Sequence, residues 1–165
     1  MGDPLSVPSP GEFTDAMSAL ATGVAVLTVR DGRDDLGTTI SSFMSVSLEP
    51  PMVAVAVTAS SYLAEVLGRR ETWAVNVLGA DQRALAGRFA AAGRPGARLL
   101  LAGHPHHRGP RSEALIVADA PAALECRTRR RLTAGDHLLL LADVLAIDHA
   151  DPRRAPLVRV GRRYL

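Results

Sequence analysis

Small hydroxyl side chains are concentrated in one short stretch of the chain, residues 37–51. Two threonines and four serines fall within the ten positions from Thr38 to Ser47. A hydroxyl group both donates and accepts hydrogen bonds. It also adds little bulk, so a strand that carries several hydroxyls can approach a heterocycle edge or a phosphate closely. The stretch therefore indicates one wall of a binding site for a polar, flat or phosphorylated ligand.

The segment that follows is a candidate floor for the same site. Residues 52–57 read Met-Val-Ala-Val-Ala-Val. In a strand the valines would point to one side, and Ala54 and Ala56 would point to the other. A face made of alanines leaves room for a flat ligand, but small residues also fill the tapered interior of a barrel. The pattern alone leaves both interpretations open.

The composition excludes several classes of chemistry. The chain has 165 residues, of which 47% are hydrophobic and 22% charged, as expected for one globular domain. All 19 basic residues are arginine, which excludes a lysine Schiff base and a P-loop lysine. Cys126 is the only cysteine, which excludes an internal disulfide and a cysteine-based zinc site. The sequence also lacks the Gly-x-Gly-x-x-Gly fingerprint and the Gly-x-Ser-x-Gly elbow.

Two charged or metal-ligating clusters have simpler interpretations. His104, His106 and His107 could ligate a metal, but no complete ligand set accompanies them, and we expect no metal site. Glu125, Arg127 and further arginines alternate with apolar residues, which predicts a solvated sheet face. Nucleic-acid binding through phosphate contacts is an alternative for the arginine-rich half of the chain.

We expect neither nucleic acid nor a membrane as a partner. Aromatic residues make up only 4% of the chain, too few for a platform that stacks bases. No apolar run approaches the roughly 18 residues of a membrane-spanning helix. The first ten residues contain three prolines and no basic or apolar leader, so we predict a flexible arm at 1–10, a domain at 11–165 and a cytoplasmic location.

The elements that must position these residues are mostly strands. Apolar periodicity and turn residues predict helices at 11–20, 61–68 and 82–92, and strands at 24–30, 36–43, 52–58, 73–78, 122–131, 136–148 and 157–160. Asp31-Gly32 predicts a hairpin turn, and Ser61 and Asp81 are candidate helix caps. Residues 93–112 have no period and are predicted to form a long loop. Many strands and few helices favour a β-barrel with peripheral helices.

Several segments, in the correct order, resemble the flavin reductase-like, FMN-binding split-barrel proteins. Residues 37–51 resemble that family's Gly-x-Thr-x-x-Ser-Phe-x-Ser-x-Ser-x-x-Pro-Pro stretch. The other similar segments are 13–24, 73–78, 81–90, 134–137 and 161–164. The resemblance covers about residues 12–165 and departs from the family pattern at 93–118. It implies a mainly β fold, a six-stranded antiparallel Greek-key split β-barrel with peripheral helices.

The resemblance also implies a set of site residues. Those expected at the cofactor are Thr38, Thr39, Ser41 and Ser42 along the flavin ring and ribityl chain, Val55 and Ala56 at the isoalloxazine, and Ser60, Ser61, Arg88, Phe89 and Ala90 at the phosphate. A helix start offers free N–H groups to a phosphate, and arginine can bind it in a bidentate manner. His137, which matches the family's Gly-Asp-His signature, would lie beside the nicotinamide and position it.

The function implied by the resemblance is an NAD(P)H-dependent flavin reductase. It would reduce FMN, or FAD or riboflavin, with NADH or NADPH as hydride donor, and would supply reduced flavin to a partner monooxygenase. A homodimer is expected, because flavin sites of this fold lie near a subunit interface. An alternative, motivated by the altered residues 93–112, is a flavoprotein that binds flavin tightly and oxidises or oxygenates an organic substrate itself.

Overall fold

The computed structural model describes residues 6–165, and its helices are short. They are α1 (Pro10–Met17), α2 (Tyr62–Arg69), α3 (Arg83–Ala90) and α4 (Ala97–Leu100), with a 3₁₀-helix at Ala80–Gln82. The strands are β1 (Thr22–Gly23), β2 (Ala25–Asp31), β3 (Asp34–Ile40), β4 (Phe43–Leu48), β5 (Pro51–Thr58), β6 (Thr72–Val77), β7 (His106–Arg108), β8 (Leu115–Val117), β9 (Ala122–Ala134), β10 (His137–Ala150), β11 (Val158–Val160) and β12 (Arg163–Tyr164). None of the helices within residues 6–165 has the length and hydropathy needed to cross a membrane.

The N-terminal arm is described only in part. Residues 1–5, the first half of the predicted arm, lie outside the described residues. Helix α1 begins at Pro10, one residue before its predicted start. A capping box explains this boundary: the Ser9 hydroxyl accepts from the Glu12 N–H at 3.3 Å, and the Glu12 carboxylate accepts from the Ser9 N–H at 2.8 Å.

Seven strands form one antiparallel sheet in the order β3-β2-β6-β9-β10-β5-β4. The predicted mainly β class is therefore confirmed, although this sheet has seven strands rather than six. The additional strand is β4, which follows a two-residue corner after β3 and pairs with β5. The strand prediction at 36–43 covers only its first residue. Between residues 6 and 165 no backbone ladder joins the two edge strands, β3 and β4.

The main core lies on one side of this sheet. Val53, Val55 and Val57 point into it from β5, as the alternation of valine and alanine predicts. Trp73 of β6 is fully buried there, and its indole N–H donates to the Thr128 hydroxyl at 2.8 Å. Because the valines face this core, the alanines of β5 face the opposite side.

A second apolar cluster lies between the sheet and helices α3 and α4, and it fixes β3. Phe89 of α3 is fully buried in this cluster and packs against Gly37, where an added Cβ would lie 2.7 Å from the ring. Next to it, the Thr39 hydroxyl donates to the carbonyl oxygen of Ala86 at 2.6 Å. Helix α3 is therefore the support for the strand that carries the first hydroxyls.

Three expectations from the sequence are wrong. Residues 93–112 are not one long loop, since they contain α4 and β7, which pairs with β8. Asp81 does not cap α3, because its carboxylate binds the Arg154 guanidinium at 2.9 Å. Glu125 is not solvated: it is fully buried, because Ser112 folds over the strand and donates to its carboxylate from both the backbone N–H and the hydroxyl.

Candidate active site

A cleft of about 410 Å³ opens where β3, β5, β10 and the segment after α3 meet. We name it the hydroxyl cleft. It is lined by Thr38, Thr39, Ile40, Ser41, Ser42, Ala56, Val57, Thr58, Ser61, Leu63, Arg94 and His137. The tertiary structure thus brings four of the six hydroxyl residues, Ala56 but not Ala54, and the predicted nicotinamide residue His137 to a single cleft.

The strand wall of the cleft is held by backbone pairing. β3 pairs with β2 along one edge, with Thr38 opposite Leu27. At the corner after β3, the Ser42 hydroxyl donates to the carbonyl oxygen of Ala56 at 2.6 Å. The Ala56 N–H donates back to the carbonyl oxygen of Ser42 at 3.1 Å. This reciprocal pair fixes the hydroxyl wall against the alanine floor.

His137 is the first residue of β10 and lies opposite Thr58 of β5. Its Nδ1 lies 2.7 Å from the Asp136 carboxylate, and this hydrogen bond lowers the pKa of Asp136. The side chain is 42% exposed, and its Nε2 has no hydrogen-bond partner within residues 6–165. An imidazole held by one nitrogen keeps its ring and its second nitrogen available for a ligand in the cleft.

Arg94 is the cation of the cleft, and the sequence analysis did not single it out. Its Nε donates to the carbonyl oxygen of Gly37 at 2.8 Å, and its Nη1 donates to that of Ala91 at 3.2 Å. The guanidinium is partly buried, and burial lowers its pKa. No carboxylate of residues 6–165 forms an ion pair with it. A partly desolvated cation without a counter-ion favours an anionic ligand.

The signal for Arg94 in the sequence is weak. It is an arginine between Gly93 and Pro95, residues that are typical of a turn. The candidate Arg88 lies in the last turn of α3, is exposed, and does not line the hydroxyl cleft. Of these two arginines, only Arg94 lines the hydroxyl cleft.

Four other predicted residues do not line the hydroxyl cleft. Val55 points into the main core because it alternates with Ala56 along β5, and Phe89 is buried against Gly37. Ser60 and Ala90 are exposed outside the lining. Ser61 does line the cleft, but its hydroxyl caps α2, accepting from the Ala64 N–H at 3.1 Å and donating to Thr58 at 2.7 Å.

The lining fits a flavin phosphate ester in size, shape and charge. Hydroxyls and backbone groups offer donors and acceptors, and Ala56 leaves a flat space on the floor. Arg94 supplies positive charge, whereas no aspartate or glutamate contributes to the lining. Polar groups that converge on an open cleft next to apolar small residues are typical of cofactor sites.

The histidine cluster does not form a metal centre. His107 Nε2 lies 2.9 Å from the Asp148 carboxylate, and His106 Nδ1 lies 2.8 Å from the carbonyl oxygen of His104. In the part of the chain that the structure describes, no three His, Cys, Asp or Glu side chains come together in a way that could hold a metal ion.

The chain is similar to proteins of one family over nearly its whole length. It is 38% identical over 160 residues to the NADH-dependent FMN reductase AsuE2 of Streptomyces nodosus subsp. asukaensis, which covers 95% of this chain and 84% of the relative. It is 34% identical over 152 residues to the reductase component of 4-hydroxyphenylacetate 3-monooxygenase of Thermus thermophilus, which covers 92% of this chain and 93% of the relative.

The fold is shared with a solved structure. The NADH:FAD oxidoreductase SgcE6 of Streptomyces globisporus C-1027, in complex with NAD and FAD fragments, has a TM-score of 0.86 and 31% sequence identity. The similarity covers 97% of this chain and 95% of that chain. Residues 17–165 match the family described as flavin reductase like domain. Because its sequence and its fold both match, this chain belongs to the flavin reductase-like family.

Proposed function

We propose that this chain is an NADH-dependent flavin reductase that takes FMN or FAD as its flavin. The observation that carries the proposal is the hydroxyl cleft, which places hydroxyls, a small-residue floor, an unpaired cation and a half-exposed histidine together. The two curated relatives described above are an FMN reductase and a monooxygenase reductase component. When bound, the flavin supplies the ring that accepts a hydride from the reduced nicotinamide.

In this proposal each wall of the cleft has a separate task. Thr38 and Ser41 hydrogen-bond to the polar edge of the flavin and its ribityl chain. Ala56 leaves space for the ring. Arg94 binds the flavin phosphate, which takes the place of the counter-ion that residues 6–165 do not supply. These contacts hold the flavin in one orientation, so that only one face of the ring is open to the nicotinamide.

His137 positions the nicotinamide rather than transferring a proton. Hydride transfer depends on the distance and alignment of two rings, and a fixed side chain beside them restricts both. Asp136 holds the imidazole through Nδ1 at 2.7 Å. The ring and Nε2 then orient the nicotinamide against the flavin.

The test compares two flavins that differ only in the phosphate. We expect flavin-dependent oxidation of NADH by the purified protein. Arg94→Gln should weaken FMN binding by about 10- to 100-fold, the range of a charge-assisted hydrogen bond, and leave riboflavin binding unchanged. Arg83→Gln, at the exposed start of α3 and outside the cleft, is the matched control and should change the affinity for neither flavin. The absence of flavin-dependent NADH oxidation, or equal losses for both flavins, would contradict the proposal.

We also propose that the protein is a homodimer that supplies reduced flavin to a monooxygenase. Met44, Val46 and Leu48 are exposed on the edge strand β4, and Phe13 and Met17 are exposed on α1, which contains no buried residue. Apolar residues concentrated on one strand and one helix favour an interface. Leu48→Glu should shift the molar mass measured by light scattering from dimer to monomer, and a wild-type monomer would contradict the proposal.

Two finer assignments complete the proposal. Six strands supply the main core, namely β2, β3, β5, β6, β9 and β10, whereas β4 contributes only the partly buried Phe43. We therefore assign these six strands to the split barrel of the family and β4 to its rim. A cytoplasmic location agrees with the need for reduced nicotinamide and with Cys126, a buried free thiol.

A further inference from the structure

A second cleft, of about 280 Å³, adjoins the hydroxyl cleft. The two clefts share Ser61, Leu63 and Arg94 as lining residues. The second cleft, unlike the hydroxyl cleft, is also lined by Tyr62 of α2 and by Gly93, Pro95 and Gly96. A ligand that passes Arg94 from the hydroxyl cleft therefore enters the second cleft directly.

Tyr62 offers an exposed aromatic ring that is already held in place. The residue is 54% exposed. The Arg69 guanidinium lies 5.8 Å from the ring centre, and its Nη2 donates to the Tyr62 hydroxyl at 3.3 Å. Arg69 is itself fixed by ion pairs with Asp31 and Glu65. A ring fixed in this way loses little side-chain entropy when a planar group stacks on it.

Residues 93–96 form another part of the lining, in which Arg94 is the only long side chain and two of the four residues are glycine. Gly93 has a φ of +65°, a left-handed conformation that favours glycine. Gly96 lies against β3, where an added Cβ would be 3.1 Å from the carbonyl oxygen of Asp35. The segment therefore contributes mostly backbone, together with the Arg94 side chain, to the cleft that Tyr62 also lines.

We propose that the second cleft is a subsite for the adenylate half of FAD. This inference rests on the proposed binding of the flavin in the hydroxyl cleft, with its phosphate at Arg94. FMN ends at Arg94. FAD continues beyond it with a second phosphate, a ribose and an adenine, and the adjoining cleft is the next space along that path. The adenine stacks on Tyr62, and the chain binds FAD more tightly than FMN.

The experiment measures the dissociation constants of FAD, FMN and riboflavin by the quenching of flavin fluorescence. Tyr62→Ala should weaken FAD binding by about 5- to 50-fold, the range of one base–aromatic stack. FMN and riboflavin binding should stay within about twofold. Tyr62→Phe keeps the ring and should keep FAD affinity. Leu99→Ala removes another exposed apolar side chain, 69% exposed and outside both clefts, and should change none of the three constants.

The outcomes separate this inference from the proposed function. If Tyr62→Ala weakened the binding of all three flavins equally, or weakened the binding of none, the adenylate subsite would be overturned. A third result would also overturn it: Tyr62→Ala raises the KM for NADH but changes neither the KM for reduced nicotinamide mononucleotide nor FAD binding. The second cleft would then bind the adenylate half of NADH. If Arg94→Gln leaves FMN binding unchanged, the proposed flavin site itself fails, whatever Tyr62 does.

Discussion

The two walls of the hydroxyl cleft are held in place by different interactions. The strand wall, residues 38–42, is fixed by backbone pairing with β2 and by the packing of α3. The loop wall, which carries Arg94, follows α3 and is fixed largely by side chains. Asp35 of β3 binds Arg98 just beyond this segment and also binds Arg108 of β7.

Asp35 of β3 is the residue that supports the loop wall from outside it, because it binds both Arg98 and Arg108. Its side chain is only 3% exposed, and the Arg108 guanidinium contacts both carboxylate oxygens at 2.8 and 2.9 Å. Burial alone would raise the pKa of Asp35, but the hydrogen bonds from Arg108 and Arg98 outweigh it, so that the pKa is lowered. The comparison shows that the strand wall depends on the backbone, whereas the loop wall depends on one buried carboxylate.

Removal of that carboxylate should have the largest effect. Asp35→Asn leaves Arg98 and Arg108, which both reach solvent, without their counter-ion, and the loss of charged hydrogen bonds to a buried carboxylate costs about 1.5–3 kcal/mol of the free energy of unfolding. FMN binding should weaken more than riboflavin binding, because Arg94 is displaced. Denaturant unfolding and flavin titration measure the two effects. Asp34→Asn, at the neighbouring exposed residue, is the control. An equally large loss of stability in that variant would contradict the special role of Asp35 in the loop wall.

The same carboxylate predicts part of the acid sensitivity. Because the pKa of Asp35 in the folded protein lies below its usual value of 3.8, its contribution is fully present above that value and is lost as the pH falls through the lowered pKa. The free energy of unfolding should therefore decrease below about pH 4, and Asp35→Asn should lack this part of the decrease. Parallel pH profiles of the two proteins would contradict this assignment.

The strand wall should be sensitive to a change beside its backbone. In Gly37→Ala the new Cβ would lie 2.7 Å from the Phe89 ring and 3.0 Å from the carbonyl oxygen of Leu27. Overpacking of this kind costs about 1–3 kcal/mol of the free energy of unfolding. Gly87→Ala on α3 meets nothing within 4 Å and should be stabilising, so a loss of stability in both variants would point to another cause.

His137→Gln tests the ligand-facing end of the strand wall. We expect kcat/KM for NADH to fall about tenfold, equivalent to about 1.4 kcal/mol, because the nicotinamide loses its positioning ring. The dissociation constant of FMN should stay within about twofold. Steady-state kinetics and flavin titration give both values. His106→Gln, an exposed histidine outside the cleft, should retain wild-type kinetics, and unchanged kinetics in His137→Gln would remove its assigned role.

The smallest effect is expected for a single hydroxyl of the strand wall. Ser42→Ala removes the 2.6 Å hydrogen bond to Ala56 but leaves the backbone bond between the same residues. We expect the free energy of flavin binding to weaken by about 0.5–1 kcal/mol, which corresponds to a two- to fivefold weaker flavin affinity. Ser45→Ala, exposed on β4, should have no effect on the titration. If Ser42→Ala weakened flavin affinity more than Arg94→Gln does, side chains rather than backbone pairing would hold this wall.

Local patterns in the sequence predicted the alternation of side chains on β5 and the β2–β3 hairpin. Valine and alanine alternate on β5, and because a strand has a two-residue period, all three valines point to the same side, into the main core. Asp31-Gly32 predicts the β2–β3 hairpin, where Gly32 has a φ of +64°. These features depend on neighbours along the chain or across one hairpin, so a single sequence contains the information.

Other features were decided only by the tertiary structure. Asp35 meets Arg98 and Arg108 across 63 and 73 positions, and Glu125 is buried because Ser112 folds over it. Arg94 rather than Arg88 reaches the cleft, because the segment after α3 folds back onto β3. Such contacts join distant residues that share no periodic pattern, and their formation depends on the space that remains after the sheet and helices have packed.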